Sequence, residues 1–283
     1  MCGIAGFSIS DKDHRVIRTR LLSEALLRQI QSRGRDATGA VWSENVEGNT
    51  ELYFVKDDVD ADTFIKQDIA MIPKYTRTAL LHTRYATQGS PEYNENNHPI
   101  VVPTVIGVHN GHISNDDEII EELGVERIGE VDSEAIFHLI AEVGKDLKKL
   151  NKLQGRAAVG WYEIDDPKTM HLARLSGSPL FIGKTKGDSL VFASTKELLE
   201  KACREAHVGL VQVTEIPEWT YLKVVKGEIV ERRSLRKVEQ SRAIPSMPMR
   251  DRDYVNPHMF NVSAQKQIAS LRERMDLAYG FRR

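Results

Sequence analysis

The sequence predicts an α+β protein of stacked sheets covered by helices. Three observations predict it. Short apolar, strand-like runs crowd the segment from Cys2 to Ile113 and return from Ala157 onward, and two helical runs are bunched between the two groups. Strands and helices do not alternate regularly, as a parallel sheet would require. The 283 residues are 41% hydrophobic and 28% charged, a soluble composition with length enough for a sizeable core.

Taken in order, "CGIAGFSI" reads as a strand, and "LLSEALLRQIQSRG" places apolar residues three and four apart, ending at Gly34 like a capped helix. "TGAVWS" and "ELYFVK" read as paired strands, and "DADTFIKQDIAMI" as a helix opened by acidic residues. "RTALLHTRYA" and "TVIGVHNGHI" are two further apolar strands. The helices "DDEIIEELG" and "DSEAIFHLIAEVGKDLKKL" follow, the second with a lysine-rich last turn that suits the helix dipole. "AAVGWYEI", "MHLARL", "PLFIGKT", "SLVFAS", "WTYLKVV" and "EIVERRSL" are strands, interrupted only by the helix "KELLEKACREA".

After Leu235 the pattern changes to prolines and charges without a period, then "SAQKQIASLRERMDLAY", which can form one helix. The expected division is a domain over residues 1–235 and a basic arm over 236–283, in which ten Lys/Arg face five Asp/Glu. The arm either docks on a partner or packs back as a solvated tail.

Net charge is −2 and the pI is near 6.5, so no basic field invites nucleic acid. Cys2 and Cys203 are too few for a disulfide framework, and no basic stretch precedes an apolar signal core; a cytoplasmic chain is expected. The longest apolar stretch, around "PIVVPTVIGV", is about half of the roughly 20 residues a spanning helix needs, so no membrane segment is expected.

Several polar residues interrupt this pattern. Cys2 is either a small core residue or, once Met1 is removed, a nucleophile carrying its own α-amine as base. Arg84 is either a solvated edge charge or a fork for a carboxylate. Asp132 is either a helix N-cap or an acceptor for a substrate ammonium. Asn110 and Gly111 make either a hairpin turn or a pair of donors to an oxyanion. His109 and His112 have no cysteine or carboxylate cluster to complete a metal site, and none is expected. His98 reads as a loop histidine holding backbone.

The clusters "CGIAG", "RGRDATG", "HTRYATQG", "NNHPI", "HNGHISN", "VDSE" and "ARLSGSPLFIG" occur together and in order. In this the chain resembles the glutaminase domain of class II glutamine amidotransferases, which are N-terminal nucleophile hydrolases, and most of all the glutaminase half of the glucosamine-6-phosphate synthases. The resemblance covers roughly the first 230 residues and implies a four-layer αββα sandwich without a cofactor. It implies Cys2 as nucleophile, Asn110 and Gly111 as oxyanion hole, Arg84 and Thr87 at the glutamine carboxylate, Asp132 at its ammonium, and Tyr85 lining the pocket. Arg33 and Asp36 would shape the loop beside the nucleophile. Ala37-Thr38 and His112 depart from the commoner wording and bear on how the surrounding loops close. The implied function is hydrolysis of L-glutamine, with ammonia passed to a separate synthase or across a homo-oligomer through the arm. An amidase for another γ-glutamyl substrate and a non-catalytic glutamine-binding subunit are the alternatives.

Overall fold

The computed structural model describes residues 1–144 and 146–235; the arm expected at 236–283 lies outside them. In chain order the elements are β1 (Gly3–Ser8), α1 (Thr19–Ile30), β2 (Ala37–Val46), β3 (Asn49–Asp57), α2 (Ala61–Gln67), β4 (Thr78–Arg84), β5 (Ile100–Val101) and β6 (Val105–Ile113). Then come α3 (Asp116–Leu123), α4 (Ser133–Val143), β7 (Gly155–Glu163), β8 (Asp166–Arg174), β9 (Phe181–Thr185) and β10 (Leu190–Ala193). The last are α5 (Lys196–Glu205), β11 (Leu210–Glu215), β12 (Thr220–Val225) and β13 (Glu228–Ser234).

Among the described residues thirteen strands form two antiparallel sheets, ordered β11-β9-β10-β1-β4-β2-β3 and β13-β12-β8-β7-β6-β5. Both faces of the central strands are covered, which is why β1 and β4 are buried at every position and read as continuous apolar runs. Alternation still sorts their side chains. Ala5, Phe7, Ala40, Trp42, Ala79 and Leu81 pack with α1, α2 and α5 on the outside of the first sheet. Ile4, Val41 and Leu80 face inward and meet Val108, Tyr162 and Leu172 of the second sheet. The outer face of that sheet packs Val105, Val159 and Trp161 against Ile119 of α3 and Ile136, Phe137 and Ile140 of α4. The result is the four-layer αββα sandwich. Each fully buried Phe, Leu or Ile in these layers contributes about 1.5–3 kcal/mol.

The elements differ from the sequence reading at identifiable points. The helix expected to run to Leu150 stops at Val143, because Gly144 turns to φ 50°, and Leu147–Lys152 forms a 3₁₀ helix instead. Gly34 caps the 3₁₀ turn Gln31–Arg33 that follows α1, its N–H donating to the Gln31 carbonyl at 3.1 Å, but it is extended at φ −175°; glycine is required because a Cβ there would stand 2.3 Å from the Arg84 carbonyl carbon. Asn110 and Gly111 are not a turn, since β6 continues through both, opposite Ala158 and Ala157 of β7. Strand β11 has no counterpart among the predicted strands, because its residues are largely exposed and leave no apolar run. Among the described residues no helix is long and apolar enough to cross a membrane.

Candidate active site

Strand parity brings three of the candidate side chains to the inward faces of the sheets. Cys2 shares the inward face of β1 with Ile4, and the pairing of Gly3 with Thr83 sets Cys2 opposite Arg84. Arg84 follows Leu80 and His82 on the inward face of β4. Asn110 follows Ile106 and Val108 on the inward face of β6.

Cys2 sits just ahead of β1, half-buried. Its Sγ accepts from the Tyr85 N–H at 3.4 Å and donates to the Tyr85 carbonyl at 3.7 Å, while Arg33 Nε holds the Cys2 carbonyl at 2.8 Å. Burial pushes the thiol above its ordinary value, against the Tyr85 contact and the Arg84 charge that pull it down; Asp132 adds to the rise. The thiol is therefore protonated at neutral pH. Cys203, by contrast, is packed among core residues, and its thiol is pushed up to about 12 by burial.

Arg84 is no solvated edge charge. It is 3% exposed, and its guanidinium donates to Asn97 Oδ1 at 2.8 Å, Gln88 O at 2.6 Å and Gly89 O at 2.7 Å. Asp36 braces the following turn, accepting from the Ala86 N–H at 2.7 Å while its own N–H reaches the Arg84 carbonyl at 3.0 Å. The expected shaping roles of Arg33 and Asp36 thus have a geometry, one on the Cys2 backbone and the other on the Arg84 turn.

Asn110 is 1% exposed, and neither Oδ1 nor Nδ2 of its amide has a hydrogen-bond partner. An unpaired buried amide costs about 1–3 kcal/mol, so a native chain that keeps one calls for a reason. At Gly111 a Cβ would fall 1.8 Å from the Arg156 carbonyl oxygen, which forbids any side chain there.

Asp132 occupies the N-cap position of α4, yet its side chain caps nothing. Its Oδ2 accepts instead from the Ile113 N–H at 2.6 Å, and its Oδ1 lies 3.4 Å from the Ser133 hydroxyl. His112 Nδ1 approaches the same carboxylate at 3.5 Å. His109 and His112 leave β6 on opposite faces, His109 reaching Ser133 Oγ at 2.8 Å, so they cannot share a metal. Among the described residues no group of three His, Cys, Asp or Glu is arranged to hold one.

Arg84 and Asp132 lie near enough to Cys2 to bias its thiol in opposite directions, and Asn110 and Gly111 follow one another on β6, Asn110 on its inward face. Tyr85 contributes its backbone to the thiol, and its 53% exposed ring lines a cavity of about 470 Å³ with Met1 and the Gln31–Asp36 loop. Thr87 is exposed on the turn after β4, and no contact joins it to the thiol. A larger cavity of about 540 Å³ opens at the other ends of β1 and β4, beside Ser8 and Thr78, and contains none of these groups. Sequence reasoning missed Asn97, which fixes Arg84, and misplaced His98. The His98 ring is buried, stacked on His82, and bonds no backbone. The only signal was that both lie in a polar "NNHPI" that the fold buries.

Comparison with known proteins gives a consistent result. Residues 82–201 match the family described as a glutamine amidotransferase domain. Glutamine–fructose-6-phosphate aminotransferase (isomerizing) of Photorhabdus laumondii is 32% identical over 248 residues, covering 83% of this chain and 39% of the relative. The enzyme of the same name from Thermococcus kodakarensis is 28% identical over 247 residues, covering 82% and 39%. The chain thus spans about 39% of the length of these relatives. Among solved structures, the glutamine phosphoribosylpyrophosphate amidotransferase of B. subtilis superposes with a TM-score of 0.65 at 20% identity, over 83% of this chain and 50% of that one. An allosteric regulatory enzyme of purine biosynthesis superposes with a TM-score of 0.66 at 20% identity, over 83% and 49%.

Proposed function

The chain contains a class II glutamine amidotransferase domain, and from that premise we propose that it hydrolyses L-glutamine to glutamate and ammonia through a thioester on Cys2. The observation that carries the proposal is the Asn110 amide, buried without a partner on the inward face of β6, the sheet opposite the one that carries Cys2 and Arg84. A substrate oxyanion would accept from its Nδ2.

In this reading Cys2 Sγ attacks the side-chain carbonyl carbon of glutamine, and the thiol proton passes to the α-amine of Cys2. While Met1 is attached that nitrogen is an amide and cannot take a proton, so removal of Met1 is part of the proposal. The tetrahedral oxyanion accepts from Asn110 Nδ2 and the Gly111 N–H, donors whose loss costs about 100-fold to 1000-fold in rate. Collapse breaks the C–N bond, and the ammonium of Cys2 returns its proton to the leaving nitrogen. Water, deprotonated by the same amine, then attacks the thioester, and the thiol is restored as glutamate leaves. Asp132 accepts from the substrate ammonium. Arg84 meets its carboxylate with its remaining N–H groups, since three of its five are held by Asn97, Gln88 and Gly89.

Cys2→Ala tests the proposal: glutamate release should vanish while the thermal midpoint stays put. Wild-type turnover in that variant would sink it, and equal cleavage of γ-glutamyl compounds blocked at the α-carboxylate would favour a general amidase. On this reading the ammonia passes to an acceptor outside residues 1–235, on a synthase or a second copy reached through the arm. Loss of co-purification or of oligomer on deleting residues 244–283, with glutamine hydrolysis retained, is the expected result.

A further inference from the structure

Two imidazoles between the sheets have no part in the chemistry above. His82 leaves β4 on the inward face, two residues before Arg84, and is 1% exposed. Its Nε2 donates at 3.1 Å to the carbonyl of His109, which belongs to the peptide bond leading into Asn110. Its ring stacks on His98 at a centroid distance of 4.0 Å and an interplanar angle of 24°. His98 directly follows Asn97, the residue that holds Arg84 Nη1 at 2.8 Å. One ring therefore touches the supports of both Arg84 and Asn110, which sit on different sheets.

Packing alone does not account for imidazoles here. The neighbouring inward positions are Ile4, Leu80 and Val108, and an aliphatic side chain would fill the layer without burying polar atoms. Both His98 nitrogens lack a partner, so that ring contributes its face and not its hydrogen bonds. Burial pushes His82 down to about 3, with the His109 carbonyl only partly opposing, and holds His98 well below its ordinary value. Both rings are neutral at working pH and cannot serve as acids. Their contribution is geometric.

We propose that His82 is a positioning residue that sets Arg84 through its stack on His98 and sets the Asn110 oxyanion donor through its hydrogen bond to the His109 carbonyl. The proposal rests on the glutaminase reading, and its two arms separate in kinetics. Losing the hydrogen bond disturbs a group that acts on the transition state, which lowers kcat. Losing the stack disturbs a group that binds the substrate carboxylate, which raises KM.

The test is steady-state glutamine hydrolysis by the full chain with two substitutions. His82→Phe keeps the ring and deletes the donor; kcat should fall about tenfold or more, short of the roughly hundredfold loss of a whole donor, with KM within about twofold. His82→Gln keeps a side-chain N–H donor and deletes the ring; KM should rise at least about fivefold with kcat nearly retained. If either variant fails to fold by circular dichroism, His98→Ala removes the stack from the other side and should raise KM alone. Loss of kcat and KM in the same proportion in all variants, or wild-type kinetics in all, would overturn the positioning role while leaving the glutaminase reading intact. A wild-type chain that releases no glutamate would overturn both.

Discussion

Taking the protein from pH 7 to pH 5 should lower its unfolding free energy, with His82 alone accounting for about 2 kcal/mol of the loss. Burial holds His82 down to about 3 in the folded chain, against about 6.5 when unfolded. Between these values the unfolded chain binds a proton that the folded chain does not, so stability rises with pH across that window. It is fully present above about pH 6.5 and lost as the pH falls toward 3. At pH 5 the gap from 6.5 is about 1.5 units, and at about 1.36 kcal/mol per unit the loss is about 2 kcal/mol. His98 and His109, both held below their ordinary value mainly by burial, act in the same direction. The assay is urea unfolding followed by circular dichroism at pH 7, 6 and 5, for wild type and His82→Phe. Carboxylates titrate alike in both, so the difference in slope belongs to His82. Wild type should lose about 2 kcal/mol more than the variant over this range. Parallel pH curves would refute the buried neutral state.

Three further outcomes follow from the site. Asn110→Leu removes an unpaired buried amide at similar volume, so it should raise unfolding free energy by about 1–3 kcal/mol while glutamine turnover falls about a hundredfold; a destabilised variant would mean the amide has a partner in the free protein. Arg84→Lys should raise KM for glutamine at least about tenfold and lower the melting temperature, because a point charge cannot serve Asn97, Gln88, Gly89 and a carboxylate together; an unchanged KM rejects the carboxylate role. Gly111→Ala should cost folded yield in expression trials, since its Cβ would lie 1.8 Å from the Arg156 carbonyl oxygen; a normally folded variant would show that β6 and β7 can part there.

The strands and the first contacts of the site were legible for local reasons. Apolar runs in "GIAGFS" and "TALLHTR" mark strands whatever they pack against, and unusual residues at strand ends mark candidates. Asn110-Gly111 was ambiguous because the same dipeptide makes a hairpin turn or continues a strand, and only the pairing with Ala158 and Ala157 decides. Gly34 does close the turn after α1, but the requirement for glycine there comes from Arg84, fifty residues away in the chain, which no local pattern shows. Asn97 and His82 act through partners on other strands, and no local pattern announces such a contact. Strand β11 carries too little buried apolar surface to leave a period.

Covalent trapping of the nucleophile tests the proposed chemistry most directly. The protein is incubated with a glutamine analogue that carries an electrophilic carbon in place of the side-chain amide, then digested and analysed by mass spectrometry, with and without excess glutamine. The prediction is one adduct per chain, on a peptide that begins at Cys2 after loss of Met1, suppressed by glutamine, with Cys203 unlabelled because its buried thiol is pushed up to about 12. An adduct on Cys203, an unmodified Cys2, or labelling of Cys2 that glutamine does not suppress would contradict it.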